Sequence, residues 1–160
     1  MHLPPSLMSA PVRRAIFVSE EVAAIVLGPW EDSRTALRFA RLRAQLDAFT
    51  ENGLISVALD PYDKAKSAFL ALVDPVSDGV WDIRSVDPSP SIRVLGCFAE
   101  TDVFISLVWS YRKCLGGPGS KEWRDFRERG KAAWRNLFPT YRALTTGNVN
   151  EYISQNIYLV

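Results

Sequence analysis

Apolar and polar residues alternate with period two in Val80-Trp81-Asp82-Ile83-Arg84 and partly so in Ile92-Arg93-Val94-Leu95, and residues 103–111 are almost continuous β-formers. Asp87-Pro88-Ser89-Pro90 forces a turn after the first string, and Ala99-Glu100-Thr101-Asp102 supplies a polar hairpin loop after the second. Residues 80–113 are therefore expected to form a three-stranded antiparallel meander. Upstream the apolar period changes. Phe39, Leu42, Leu46 and Phe49 recur at spacings of three and four behind Glu31-Asp32-Ser33, which predicts an amphipathic helix closed at Asn52-Gly53, with Arg34, Arg38, Arg41 and Arg43 on its other side. Asp60-Pro61, a capping residue followed by proline at a first helical position, predicts a second helix to about residue 72, with Ala65, Ala68, Phe69 and Leu72 turned inward. Asp74-Pro75 and Ser77-Asp78-Gly79 then break the chain before the meander.

The flanks are shorter signals. Ala15-Ile16-Phe17-Val18 suits a strand, which residues 22–27 either extend or follow as a first turn of helix; residues 54–59 read as a short strand or a linker. Beyond Gly116-Gly117-Pro118-Gly119, Ser120 stands as an N-cap, and Trp123, Phe126, Gly130, Trp134 and Leu137 mark one face of a last helix that Pro139 ends. The tail, residues 145–160, closes in Ile157-Tyr158-Leu159-Val160, a strand at a sheet edge or a mobile end. The order of elements is α+β, with helices before the strands and one helix after them. With 160 residues, 48% of them hydrophobic, one domain is expected over residues 1–160, its core about residues 14–138, with an N-terminal extension of residues 1–13.

Charge adds an asymmetry. The net charge is +1, yet residues 81–145 carry eleven Lys and Arg against seven Asp and Glu, while acidic residues prevail in residues 1–80. The basic run after Ser120 reads either as a phosphate-binding face or as a solvated helix surface. No apolar run reaches the length of a membrane span, and the prolines among residues 1–11 do not suit a secretory signal, so a cytoplasmic protein is expected. Cys97 and Cys114 are expected to be reduced, each a small apolar residue rather than a ligand. The single histidine, His2, supports neither a nucleophilic triad nor a histidine metal site, and the glycine-rich break lacks the lysine of a phosphate loop. Arginines on strands remain. A buried arginine demands a carboxylate or an anionic ligand, so Arg84 either pairs across strands with Asp82, Asp87 or Glu100, or converges with Arg93 and Arg112 on one anion-binding face.

The strings Trp81-Asp82-Ile83-Arg84 and Ile92-Arg93-Val94-Leu95, the aliphatic run from Ile105 to Val108 and the basic pair after Tyr111, in this order, resemble the RelE/ParE toxin superfamily, and within it the HigB-like, phage-derived branch. The resemblance covers roughly residues 35–113. It implies a RelE-like fold, an N-terminal helical hairpin packed on an antiparallel β-meander, here with an additional C-terminal helix. It further implies the toxin of a type II toxin-antitoxin system: an endoribonuclease that cleaves messenger RNA on the ribosome without metal or other cofactor and is held by a cognate antitoxin. By the same resemblance Arg93, Arg112, Lys113 and Tyr111 would be catalytic, the arginines on the phosphate and Lys113 or Tyr111 in proton transfer, and Arg84 would bind RNA. Lys121, Arg124 and Arg127 are the further RNA-binding candidates, from the basic run. A ParE-like inhibitor of DNA gyrase and a non-catalytic interaction protein of phage or mobile-element origin are the alternatives on the same residues.

Overall fold

The structure, a computed structural model, describes residues 1–6 and 12–160; residues 7–11, part of the expected N-terminal extension, lie outside the described residues. The expected meander is present. Strands β4 (Val80–Ser85), β5 (Ile92–Glu100) and β6 (Val103–Tyr111) pair antiparallel in sequence order, with Arg84 opposite Arg93 and Ile92 opposite Tyr111.

The rest corrects the RelE-like expectation. Instead of a helical hairpin on a small meander, the strands build one curled, mixed sheet of seven, ordered β1-β6-β5-β4-β3-β2-β7. Strand β1 (Ala15–Val18) lies parallel to β6, and β2 (Ile55–Ala58) pairs parallel with both β3 (Leu70–Leu72) and β7 (Ile157–Leu159). The tail is thus an edge strand. The second expected helix does not form. Asp60 does act as a cap, its Oδ1 accepting from the backbone N–H of Tyr62 and Asp63, but the turn it closes is not continued. Further on, the N–H of Phe69 donates to the carbonyl and the hydroxyl of Ser56, so the backbone that a helix would use is taken by the neighbouring strand. Residues 59–68 are a loop.

Helices cover both faces. Helix α1 (Glu20–Val26), capped by Ser19, and α2 (Ser33–Thr50), capped by Asp32, pack on one face, where Phe39, Leu42, Leu46 and Phe49 are buried as their spacing predicts. Asn52, with φ of 65°, takes the left-handed position that ends α2, ahead of Gly53. The core of this face centres on Trp81, fully buried and edge-on to Phe98 at 5.7 Å and to Tyr152 of the short helix α4 (Val149–Tyr152) at 4.9 Å. Helix α3 (Lys121–Leu137), capped by Ser120, covers the other face. Phe126, Gly130 and Trp134 are buried there, whereas Leu137 is 55% exposed and stands off the face assigned to it.

Gly96 marks where the sheet bends, beside a register shift between β5 and β6. A Cβ at this position would lie 2.2 Å from the Ile105 carbonyl oxygen and 2.6 Å from the Phe104 ring. Gly96→Ala is expected to cost about 3 kcal/mol or more in urea unfolding. Gly117→Ala, with no heavy atom within 4 Å of the added carbon, should stay within about 0.5 kcal/mol of the parent.

Candidate functional site

Strand parity decides which side chains meet. Trp81, Ile83, Ile92 and Val94 point to the α1 and α2 face, so Asp82, Arg84 and Arg93 point to the α3 face. There Arg84 stands directly opposite Arg93, a like-charge pairing that is unfavourable unless an anion lies between them. Asp82, diagonal to Arg93, supplies one: its Oδ2 accepts from Arg93 Nη1 at 3.2 Å. Arg84 itself donates from Nη1 to the Ala65 carbonyl at 2.7 Å, so its expected partner, Asp82, is bonded to Arg93 instead. Arg112 follows in a 3-10 turn at the end of β6, and Lys64, in the loop of residues 59–68, acts on Asp82 through its charge.

Four cations thus act on one buried carboxylate. Burial pushes the Asp82 carboxyl up to about 6, against the pull of Arg93, Lys64, Arg84 and Arg112. Burial lowers the pKa of Lys64, which Asp82 raises and Arg84 and Arg93 lower further; Arg84 is lowered by burial and by Arg93. Asp82 is 3% exposed and Arg93 7%, while Lys64, Arg84 and Arg112 are half-buried. Asp82 Oδ1 and Arg93 Nε are buried and make no hydrogen bond among the described residues. A centre of four cations around one carboxylate carries surplus positive charge, which suits a phosphate.

The other expected site residues lie elsewhere. Tyr111, opposite Ile92, points to the α1 and α2 face, where its ring is edge-on to Trp109 at 5.2 Å, and the Lys113 ammonium sits 5.9 Å from that ring. The two residues expected to transfer protons are thus separated by the sheet from Arg93. The alternation that brings Arg93 to one face sends Tyr111 to the other. In the first turn of α3, Lys121 pairs with Asp125 at 2.9 Å, both exposed, and Arg124 donates to the Gly119 carbonyl. Arg127 is turned toward β3 and donates to the Asp74 carbonyl. The charge of Asp74 also acts, weakly, on Lys64. Sequence reasoning passed over Lys64, set in a stretch with helical signals, and saw Asp82 only as a partner for Arg84, although its place between Trp81 and Ile83 in an alternating strand was the sign that it faces inward.

Two cavities flank α3. One, of about 1080 Å³, is apolar and lies between β1 and the C-terminal half of the helix. The other, of about 510 Å³, is polar and lies on the β4 side, with Val80 and Cys97 at its base. Cys97 is a buried free thiol pushed up to about 12 by burial, and so is unreactive near neutral pH; Cys114 is free and exposed. Among the described residues no helix is long and apolar enough to cross a membrane. No family model, no curated protein and no solved structure matches the chain.

Proposed function

We propose that this chain cleaves RNA without a metal ion, the ribose 2′-hydroxyl attacking its own phosphate in the grip of Lys64, Arg84, Arg93 and Arg112. The observation that carries this reading is the pair of facing arginines, gathered with two more cations around a buried carboxylate whose Oδ1 is free. Asp82, titrating at about 6, has the basicity of a general base near neutral pH and takes the 2′-hydroxyl proton. The new bond joins the 2′-oxygen to phosphorus, the bond to the 5′-oxygen breaks, and Lys64, its pKa lowered by burial, protonates that oxygen. Arg84 and Arg93 offset the charge that builds on the equatorial oxygens. The products are a 2′,3′-cyclic phosphate and a 5′-hydroxyl. The strings that carry the resemblance to the HigB-like toxins contribute Asp82, Arg84 and Arg93 to the cluster. In this reading the chain acts in the cytoplasm, on translated messages, and is checked by a cognate antitoxin.

The burial of Asp82 and Arg93 favours a second reading, in which the cluster holds RNA phosphate and does no chemistry. Labelled RNA incubated with the full chain and a chelator, with and without translating ribosomes, separates the two. Cleavage predicts new 5′-hydroxyl ends, abolished by 2′-deoxy substitution at the cut nucleotide, at a rate that rises with pH through about 6 as Asp82 loses its proton. Arg84→Ala should slow it on the order of a hundredfold or more. RNA bound but intact supports the second reading; RNA neither bound nor cut sinks both.

A further inference from the structure

Along α3, Arg127, Lys131 and Arg135 are spaced four residues apart and form one row down the flank that faces β3 and β4. Its first member donates to the carbonyl of Asp74, whose charge acts on Lys64 of the cluster. Its second pairs with Asp78 at 2.9 Å, and its third lines the polar cavity of about 510 Å³. The row is about 12 Å long, roughly three to four nucleotides at stacked spacing. Strand β4 makes the same connection underneath: Val80 lines the cavity, and Asp82, two residues on and on the same face, is the centre of the cluster, about 7 Å away along the strand.

The cavity has the chemistry of a nucleotide site. Trp134, Phe138 and Tyr141 contribute aromatic surface to it, and Arg135 and Arg142 stand exposed at it, neither in an ion pair or hydrogen bond among the described residues. The segment that carries Tyr141 and Arg142 is anchored: the Tyr141 hydroxyl donates to the Ala99 carbonyl, and the N–H of Leu144 donates to the Phe98 carbonyl. The wall is therefore held in place before a ligand arrives. Asp78 is the acidic residue lining the cavity, and it is paired with Lys131, which leaves both arginines available to phosphate. Arginines beside aromatic rings bind single-stranded nucleic acid by phosphate contact and base stacking together.

We infer that this flank of α3 is the track along which a single RNA strand leaves the cation cluster, and that the polar cavity receives one nucleotide of the strand, base against the Tyr141 ring and phosphate between Arg135 and Arg142. The inference rests on the RNA reading of the cluster, which it extends to a second site.

A short fluorescein-labelled 2′-O-methyl RNA, which cannot be cut, tests it by anisotropy at several salt concentrations. Arg135→Ala and Arg142→Ala should each weaken binding several-fold and lower the slope of log affinity against log salt by about 0.7 per lost phosphate contact. Tyr141→Ala should weaken it about tenfold, and binding to the parent chain should quench Trp134 fluorescence. Arg41→Ala, an exposed arginine of α2 on the other face of the sheet, serves as the control and should bind like the parent. Parent-like binding by both Arg135→Ala and Arg142→Ala overturns the track. If Arg84→Ala still weakens binding in that case, the cluster reading survives alone. Loss of binding in Arg135→Ala and Arg142→Ala with none in Arg84→Ala leaves the cavity as an RNA site but overturns the track, which begins at the cluster.

Discussion

Arg14→Met is expected to lower stability by about 3–5 kcal/mol and to release the C-terminal strand before the remainder unfolds. Arg14 is 1% exposed, and burial lowers its pKa while Asp102, 3.9 Å away, raises it. Its Nη1 donates to the carbonyls of Phe49 at 3.2 Å and Gly53 at 3.1 Å, and its Nη2 to Gln155 at 2.6 Å and Asn156 at 3.4 Å. The guanidinium also stacks 5.1 Å from the Phe49 ring. One cation thus joins the end of α2, the start of β1 and the segment leading into β7. Methionine keeps most of the bulk and removes every donor, leaving the carbonyls of Gly53 and Gln155 without a partner among the described residues, while those of Phe49 and Asn156 keep the backbone N–H groups of Asn52 and Ile55. Asp102 also loses its cation, although it continues to hold Ser154 through the backbone N–H at 3.0 Å. Limited proteolysis reads the local effect: cleavage near residues 153–157 should appear at denaturant concentrations where the parent resists. Parent-like resistance there would mean that β7 is held without Arg14.

Arg93→Ala is expected to cost a similar amount at neutral pH, because it leaves Asp82 buried without its closest cation. The loss should shrink as pH falls, since a carboxyl without that partner takes up a proton more readily. For the parent the sign is fixed by the direction of the shift. The folded state holds the Asp82 proton up to about 6 and an unfolded chain releases it near 4, so the stabilisation is complete below about pH 4 and is lost as pH rises through about 6. The parent minus Asp82→Asn difference in unfolding free energy should fall by about 2 kcal/mol between pH 4 and pH 7, and a flat difference would contradict the assignment. Asp82→Leu combined with Arg93→Met should regain most of the stability, since Asp82 faces Ala71 and Leu95 across the sheet. A double variant that unfolds cooperatively like the parent and fails to cleave RNA would report on chemistry and not on folding.

The meander was legible because alternation is local: Trp81 and Ile83 against Asp82 and Arg84 state which side of the strand is apolar without reference to any other element. Helices α2 and α3 were legible for the same reason, through Asp32, Ser120 and the spacing of Phe39 to Phe49 and Phe126 to Trp134. The parallel pairings were not. β1 joins β6 across most of the chain, and β2 takes β7 from its far end, by backbone bonds that leave no mark on side-chain type. Residues 59–68 show the competition: Asp60-Pro61 carries a good helix start, but Ser56 on the adjacent strand captures the Phe69 N–H and the start ends as a turn.

The candidate site divides the same way. That Arg84 and Arg93 sit in apolar strands and need an anion is a property of the sequence, since a buried guanidinium must be paired wherever it lies. That they face each other, that Tyr111 and Lys113 are on the opposite side, and that the charge of Lys64 acts on Asp82 follow from register and from loop path. Those are set by contacts between residues far apart in the chain, and only the folded sheet brings them together.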